Sequence, residues 1–219
     1  RHSHDEAAAV VDQIRTLGGV AVAVQADVSV ETEVSTMFDQ VEQDFGPVKG
    51  LVNNAGVNGS GTRVEDLDVD ASRRVFEVNV LGTFLCAKYA VKRMAKRHGG
   101  SGGVIVNVSS AASKHGGPGT YTDYAASKGA VNNMVRGWAK EYGARGITVN
   151  AIAPGPIWTR IFKGNIDQKA YDEIIARSPL GRFGEPEDCV GPVLLLASDD
   201  GSYINGQVIE VGGGIIMPS

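Results

Sequence analysis

Apolar residues in this chain are arranged in two alternating ways. Short, nearly uncharged runs stand at Val20–Val28 (VAVAVQADV), Val48–Gly56 (VKGLVNNAG), Val104–Ser110 (VIVNVSS), Ile147–Pro154 (ITVNAIAP) and Gln207–Val211 (QVIEV). Their length and β-branched content predict strands covered on both faces, as in a parallel sheet. Between them apolar positions recur with a helical period. They predict helices over Asp5–Leu17, Glu31–Phe45, a long stretch from about Val69 to Arg97, Tyr124–Tyr142 and Pro186–Ser198. This alternation predicts an α/β fold: a doubly wound parallel sheet with helices on both faces and right-handed crossovers, in a single domain. Such sheets bind ligands beyond the carboxyl ends of their strands. Three segments fall at that edge: NNAG at 53–56, VSS at 108–110 and APGPIWT at 153–159.

The long helical stretch differs from the others. Val75, Phe76, Val78, Val80, Leu81, Phe84, Leu85, Ala87, Tyr89, Val91 and Met94 cover most of its circumference rather than one stripe. A helix apolar nearly all round is buried on more than one side. One side is expected to face its own sheet, and the other a partner subunit, with an intramolecular loop as the alternative cover.

Composition narrows the function. With 42% hydrophobic and 21% charged residues the chain is an ordinary globular one. A net charge of −4 argues against a nucleic-acid surface or a polybasic membrane anchor. No apolar run approaches the ~20 residues that span a bilayer, and none has the signal-peptide pattern. Cys86 and Cys189 lie in apolar helical surroundings with no metal-ligand spacing, so they are read as reduced thiols of a cytoplasmic protein, and no metal site is expected.

The candidate chemistry centres on YTDYAASKGA at 121–130. Tyr121 and Tyr124 precede Lys128 by seven and four residues, and both spacings return to one helical face. A tyrosine titrates near ~10, and a lysine one turn away favours the phenolate. Bringing it to about 7 requires about three pKa units, or ~4 kcal/mol. Gly116–Gly119 (GGPG) stands just upstream, and Thr122 or Asp123 is a natural N-cap for a helix beginning at Tyr124. That leaves Tyr121 in the loop and makes Tyr124 the candidate acid/base. Ser109 and Ser110 end a predicted strand, where a hydroxyl could bond a substrate oxygen. Asn53, Asn54, Ala55 and Gly56 are small enough to let a flat ring or ribose lie on the backbone. Asn79, in the apolar setting VFEVNVLGTF, is costly there unless hydrogen-bonded.

Together these segments resemble the short-chain dehydrogenase/reductase family, most of all a bacterial branch labelled glucose-dehydrogenase-like. NNAG at 53–56, Asn79, Ser110 in VNVSS, Tyr124-x-x-x-Lys128 and Pro154-Gly155 occur in the family's order, and the resemblance runs from about residue 20 to GQVIEVGGG. It implies a Rossmann-type sheet and an NAD(P)-dependent oxidoreductase acting on a secondary alcohol or ketone. Tyr124 would exchange a proton with the substrate oxygen while hydride passes to or from the nicotinamide. Ser110 would hold that oxygen. Lys128 would lower the tyrosine pKa and bond the ribose, and Asn79 would anchor a water leading to Lys128. Asp27 and Val28 would meet the adenine, and Asn53 to Gly56 would line the adenosine side. Pro154 and Gly155 would contact the cofactor, and Ile157 with Thr159 would hold its carboxamide. Residues 160–177 would cover the substrate, and a homotetramer or homodimer is implied.

The family opens with a strand, a TGxxxGxG phosphate loop and a second strand. This chain opens at RHSHDEAAAV, which resembles the residues after that second strand, so the functional polypeptide is expected to carry such an extension. Arg1 would then follow the cofactor-discriminating strand. A guanidinium there pairs with a 2′-phosphate, which favours NADP over NAD. Three alternatives stand beside this reading. A non-catalytic dinucleotide-binding regulator would have lost the tyrosine, lysine or serine, and all three are present. A sugar-nucleotide epimerase would need a longer chain after Gly214. A 3-oxoacyl-thioester reductase would use the same residues on a different substrate.

Overall fold

The computed structural model describes residues 4–59, 61–160, 162–164 and 166–215; Arg1 lies outside the described residues. Its sheet has four strands, β1 (Gly50–Asn53), β2 (Gly103–Val108), β3 (Ile147–Pro154) and β4 (Val208–Val211), all parallel and in the order β1-β2-β3-β4. The helices are α1 (His4–Thr16), α2 (Glu31–Phe45), α3 (Val69–Phe76), α4 (Thr83–Met94), α5 (Ala112–His115), α6 (Thr122–Tyr142), α7 (Gln168–Arg177) and α8 (Val190–Ala197).

Side chains alternate across the sheet, so neighbouring strand residues serve different cores. Ile105, Val149 and Ala151 face α2, α4 and α6, where they pack with Phe38, Met94, Val135 and Trp138. Val106 and Ile152 face the opposite way and pack with Leu196 of α8. The sheet is therefore clothed on both faces, as the uncharged strand runs predict. Each fully buried side chain of this size contributes about 1.5–3 kcal/mol. Arg93 of α4 adds a polar strut by pairing with Asp39 and Glu42 of α2.

Three expectations need correction. Val20–Val28 is not a strand: a strand requires a ladder neighbour, and no described residue pairs with this segment. Val20 and Val22 are instead exposed. The helix over 69–97 runs with helical backbone from α3 through a π-helical turn at Glu77–Gly82 into α4, but it ends at Met94, short of Arg97, because Ala95 is extended. π turns gather at functional sites, and here Asn79 occupies the turn, its carbonyl accepting the Thr83 hydroxyl at 2.8 Å. Gly82 is needed there because a Cβ would stand 2.7 Å from Val28. Finally, α6 begins at Thr122 with Tyr121 as its N-cap residue, and neither Thr122 nor Asp123 caps it. Asp123 instead accepts the Tyr124 amide at 2.8 Å. Helix α7 lies within a segment read only as a cover; Asp167 caps it by accepting the Ala170 amide at 2.8 Å.

Candidate active site

The carboxyl end of β2 delivers Ser109 and Ser110 to the first turns of α6. Ser110's hydroxyl accepts the Ala112 amide at 3.1 Å, and Ser110 lies near enough to the Tyr124 phenol to influence its titration. Ser109 is turned away, its hydroxyl donating to the Lys128 carbonyl at 3.2 Å. The geometry thus separates two serines that the sequence leaves equivalent.

Lys128 is 5% exposed. Its Nζ donates to the Val108 carbonyl at 2.8 Å and stands 5.8 Å from the centre of the Tyr124 ring. Burial pushes its pKa down to about 8, because a buried ammonium loses its hydration. Tyr124 departs from the sequence expectation: burial raises its pKa above the ordinary value, the nearby Ser110 side chain only partly opposing this, with a smaller upward contribution from Tyr121. The phenol is therefore protonated at neutral pH in this structure.

Asn79 is 1% exposed and fully occupied. Its side-chain oxygen accepts the Val57 amide at 2.8 Å, and its nitrogen donates to the Val57 carbonyl at 2.9 Å and the Ser127 hydroxyl at 3.0 Å. Ser127 in turn donates to the Tyr124 carbonyl at 2.7 Å. Asn79 thus ties the loop after β1 to α6. Gly56 sits between them: a Cβ there would lie 3.3 Å from the Asn79 oxygen and 3.4 Å from Lys128 Nζ. Asn54 and Ala55 are exposed beside it.

Further along the same edge, Asn53 donates to Asn107 at 2.9 Å, and Val28, Asn53 and Ala55 line one small cavity with Val78, Gly82, Thr83 and Cys86. Asp27 borders this region with its carboxylate engaged: it accepts from the Ser29 amide at 3.0 Å, the Ser29 hydroxyl at 2.7 Å and Arg74 at 2.7 Å. The Ser29 bonds above all, aided by Arg74, hold it at about 2. On the other side of the tyrosine, the Pro154 carbonyl accepts the Ala111 amide at 2.9 Å, and the Gly155 amide donates to Val211 at 2.9 Å. Gly155 must be small, since a Cβ would stand 2.7 Å from Gly212. Ile157 bridges to Gly184, and the Thr159 carbonyl accepts the Phe162 and Lys163 amides at 2.9 Å. Trp158 turns to an aromatic cluster with Tyr171 and Phe183. That cluster borders a cavity of about 500 Å³ lined also by Arg182, Glu185 and Asp188, and none of Ser110, Tyr124 or Lys128 lines it.

Sequence reasoning missed Ser127, Asn107 and Val57. Asn107 had a readable signal, a lone amide inside the apolar run VIVNV, and it is 0% exposed. Ser127 stands three residues after Tyr124 on the same helix face. Val57 acts through its backbone, which no residue type announces.

Comparison with known proteins places this arrangement. Residues 2–216 match a family model described as enoyl-(acyl carrier protein) reductase. The uncharacterized oxidoreductase YgfF of Escherichia coli (strain K12) is 43% identical over 205 residues, 94% of this chain and 83% of that protein. Two solved structures superpose closely. A blue fluorescent protein from a metagenomic library, in complex with NADPH, has TM-score 0.88 and 34% identity, covering 98% of this chain and 83% of that one. A 7α-hydroxysteroid dehydrogenase complexed with NADH and 7-oxo glycochenodeoxycholic acid has TM-score 0.88 and 36% identity, covering 96% and 80%.

Proposed function

This chain belongs to the short-chain dehydrogenase/reductase family and is an NAD(P)-dependent oxidoreductase acting on a small molecule, and we propose that Tyr124, Ser110, Lys128 and Asn79 form its catalytic site for a secondary alcohol or ketone. The observation that carries this is the convergence on Tyr124 of Ser110, near enough to oppose part of the rise in its pKa, and of the buried Lys128 ammonium, 5.8 Å from the centre of its ring. Tyr124 gives its phenolic proton to the carbonyl oxygen during reduction and takes it back during oxidation. Ser110 holds the same oxygen and orients the phenol. Lys128 stabilises the phenolate that remains, and Asn79 positions α6 through Ser127 and the Val57 backbone.

The residues fit a nicotinamide cofactor. The space that a Cβ on Gly56 would fill adjoins Lys128, and Val28, Asn53 and Ala55 wall a cavity at the same edge. When bound, the cofactor supplies or accepts the hydride. Val28 and the backbone of Asp27 are assigned to the adenine end, Asn53, Asn54, Ala55 and Gly56 to the adenosine, and Pro154, Gly155, Ile157 and Thr159 to the nicotinamide. Residues 160–177 are assigned to the substrate cover. Incubating the full-length protein with a panel of alcohols and ketones, read by absorbance of reduced nicotinamide, is expected to reveal turnover of at least one pair. No turnover across the panel, with cofactor bound, contradicts the reading.

NADP is the proposed preference, supported by Arg1 as a partner for the 2′-phosphate. A kcat/KM for NADPH at least ~10-fold above that for NADH is expected, the scale of one charge-assisted contact. Equal or better use of NADH refutes it.

No helix among the described residues is long and apolar enough to cross a membrane. The two free cysteines support a cytoplasmic setting. A homotetramer or homodimer is supported by two apolar surfaces. Phe76, Leu81 and Phe84 are 42%, 46% and 45% exposed, and Val190, Leu194 and Leu195 of α8 lie exposed. Exposed clusters of this kind mark contact surfaces, and a tetramer needs two of them. Sedimentation at micromolar concentration is expected to show a tetramer, and Leu194→Glu a smaller species. A wild-type monomer refutes the assembly.

A further inference from the structure

Asn132 stands in the middle of α6, one helical turn after Lys128, within the run VNNMV. That spacing brings it to the face that carries Lys128. It is 8% exposed, and its neighbours Val131, Met134 and Val135 are buried core residues. An asparagine there weakens the helix and brings an amide into apolar surroundings.

The amide serves one contact. Its Nδ2 donates to the Ser113 hydroxyl at 2.8 Å, and that hydroxyl donates to the Ser110 carbonyl at 2.6 Å. Chemistry fixes the direction: a carbonyl only accepts, so Ser113 gives its single proton to Ser110 and presents a lone pair to Asn132. Asn132 must therefore turn its nitrogen to Ser113. Its Oδ1 is left buried, with no hydrogen-bond partner among the described residues. A buried acceptor left so lowers stability, and residues that burden the fold in this way gather where function needs them.

The chain of bonds ends on a residue of the active site. Ser110 is held to the sheet through its neighbours, the Ser109 amide donating to Ile152 at 2.8 Å and the Ala111 amide to Pro154 at 2.9 Å. Those bonds fix Ser110 against β3 but not against α6, which carries Tyr124. Lys128 ties α6 to Val108 and Ser109. Asn132, through Ser113, extends the tie to Ser110 itself. The Ser113 amide adds a second bond to the Ser110 carbonyl at 3.1 Å. The Ser110 hydroxyl accepts the Ala112 amide at 3.1 Å, which leaves its proton for a substrate oxygen.

We propose that Asn132 and Ser113 are positioning residues for the reaction: the relay Asn132–Ser113–Ser110 sets the Ser110 hydroxyl relative to Tyr124, so that both meet one substrate oxygen. The inference rests on Ser110 holding that oxygen and Tyr124 exchanging its proton. Such a relay acts on the chemical step rather than on cofactor binding, because a catalytic group misplaced by about 1 Å slows the reaction severely.

The test follows reduction of butanedione, cyclohexanone and ethyl acetoacetate by the full-length enzyme with NADPH or NADH. Asn132→Leu keeps the volume and removes the unpartnered oxygen, so Tm is expected to hold or rise. Its kcat is expected to fall about tenfold, with cofactor Kd and ketone KM within about twofold. Ser113→Ala is expected to lose as much, and Ser113→Thr, which restores the hydroxyl, to recover most of that loss. The decisive arm is the Ser110→Ala background, where Asn132→Leu is expected to lower kcat no further. An unchanged kcat in Asn132→Leu overturns the proposal. So does a loss that persists undiminished in the Ser110→Ala background, or one that comes with a falling Tm and weaker cofactor binding. Ser110→Ala itself slowing reduction supports the underlying reading. A Ser110→Ala enzyme as fast as wild type, or a wild type inactive on all these ketones, strikes that reading and the relay with it.

Discussion

Replacing Tyr124 by phenylalanine is expected to lower kcat at least ~100-fold, the usual effect of removing a general acid or base. The substitution deletes one oxygen and leaves the ring that packs beside Tyr121, so cofactor affinity and folding should hold. Tyr121→Phe is expected to cost far less, and mainly in KM. Tyr121 is the N-cap residue of α6, 37% exposed, and sits on the His115 side of the site. The reverse ranking, with cofactor affinity intact in both variants, would overturn the assignment. The pH dependence has a definite sign. Because burial holds the Tyr124 pKa above its ordinary value, the phenol is the proton donor through the neutral range. Reduction is then expected to be flat near neutrality and to fall on the alkaline side, whereas oxidation rises with pH.

Lys128→Met is expected to separate function from stability. Activity should drop ~100-fold or more, because the charge that supports the phenolate is gone. The fold, however, should become more stable at neutral pH. The Lys128 pKa lies at about 8 rather than 10.5, so the folded chain gives up its proton before the unfolded chain does. Below about 8 both forms are charged and the folded state bears the full cost of burying the ammonium. As pH rises from 8 to 10.5 that cost is relieved, and stability attributable to this group increases. The shift corresponds to at most ~3 kcal/mol, less what the bond to the Val108 carbonyl returns. For a chain of this length a gain of about 2 kcal/mol raises Tm by roughly 4–8 °C. Thermal melts at neutral and alkaline pH should show the gap between variant and wild type shrinking as pH rises. A variant that is both inactive and less stable would mark Lys128 as a structural residue only.

What the sequence made legible follows from local rules. β3 and α2 have the predicted bounds because both are defined by apolar pattern alone, and Ile147–Pro154 is buried along nearly its whole length. Tyr124 and Lys128 were readable because a helix fixes their spacing. Val20–Val28 has the composition of a strand, but pairing is a tertiary property that its residues do not carry. The π turn at Glu77–Gly82 holds Asn79, which reaches the Val57 backbone across 22 residues of chain, a contact no periodicity encodes. Likewise Lys128 was expected to depress the Tyr124 pKa by its spacing, yet the ammonium is directed at Val108 and desolvation prevails.

The central claim is that hydride and proton reach one carbon–oxygen bond from a nicotinamide and from Tyr124. It is tested most directly by following deuterium. Full-length enzyme is given a ketone that it reduces and nicotinamide cofactor deuterated at C4, prepared in both stereochemical forms, and the product alcohol is analysed by mass spectrometry. The account predicts that one of the two forms places deuterium on the carbinol carbon, and that Tyr124→Phe with the same cofactor bound forms almost no labelled alcohol. Alcohol formed without label from either form, or labelled alcohol formed at an undiminished rate by Tyr124→Phe, would contradict it.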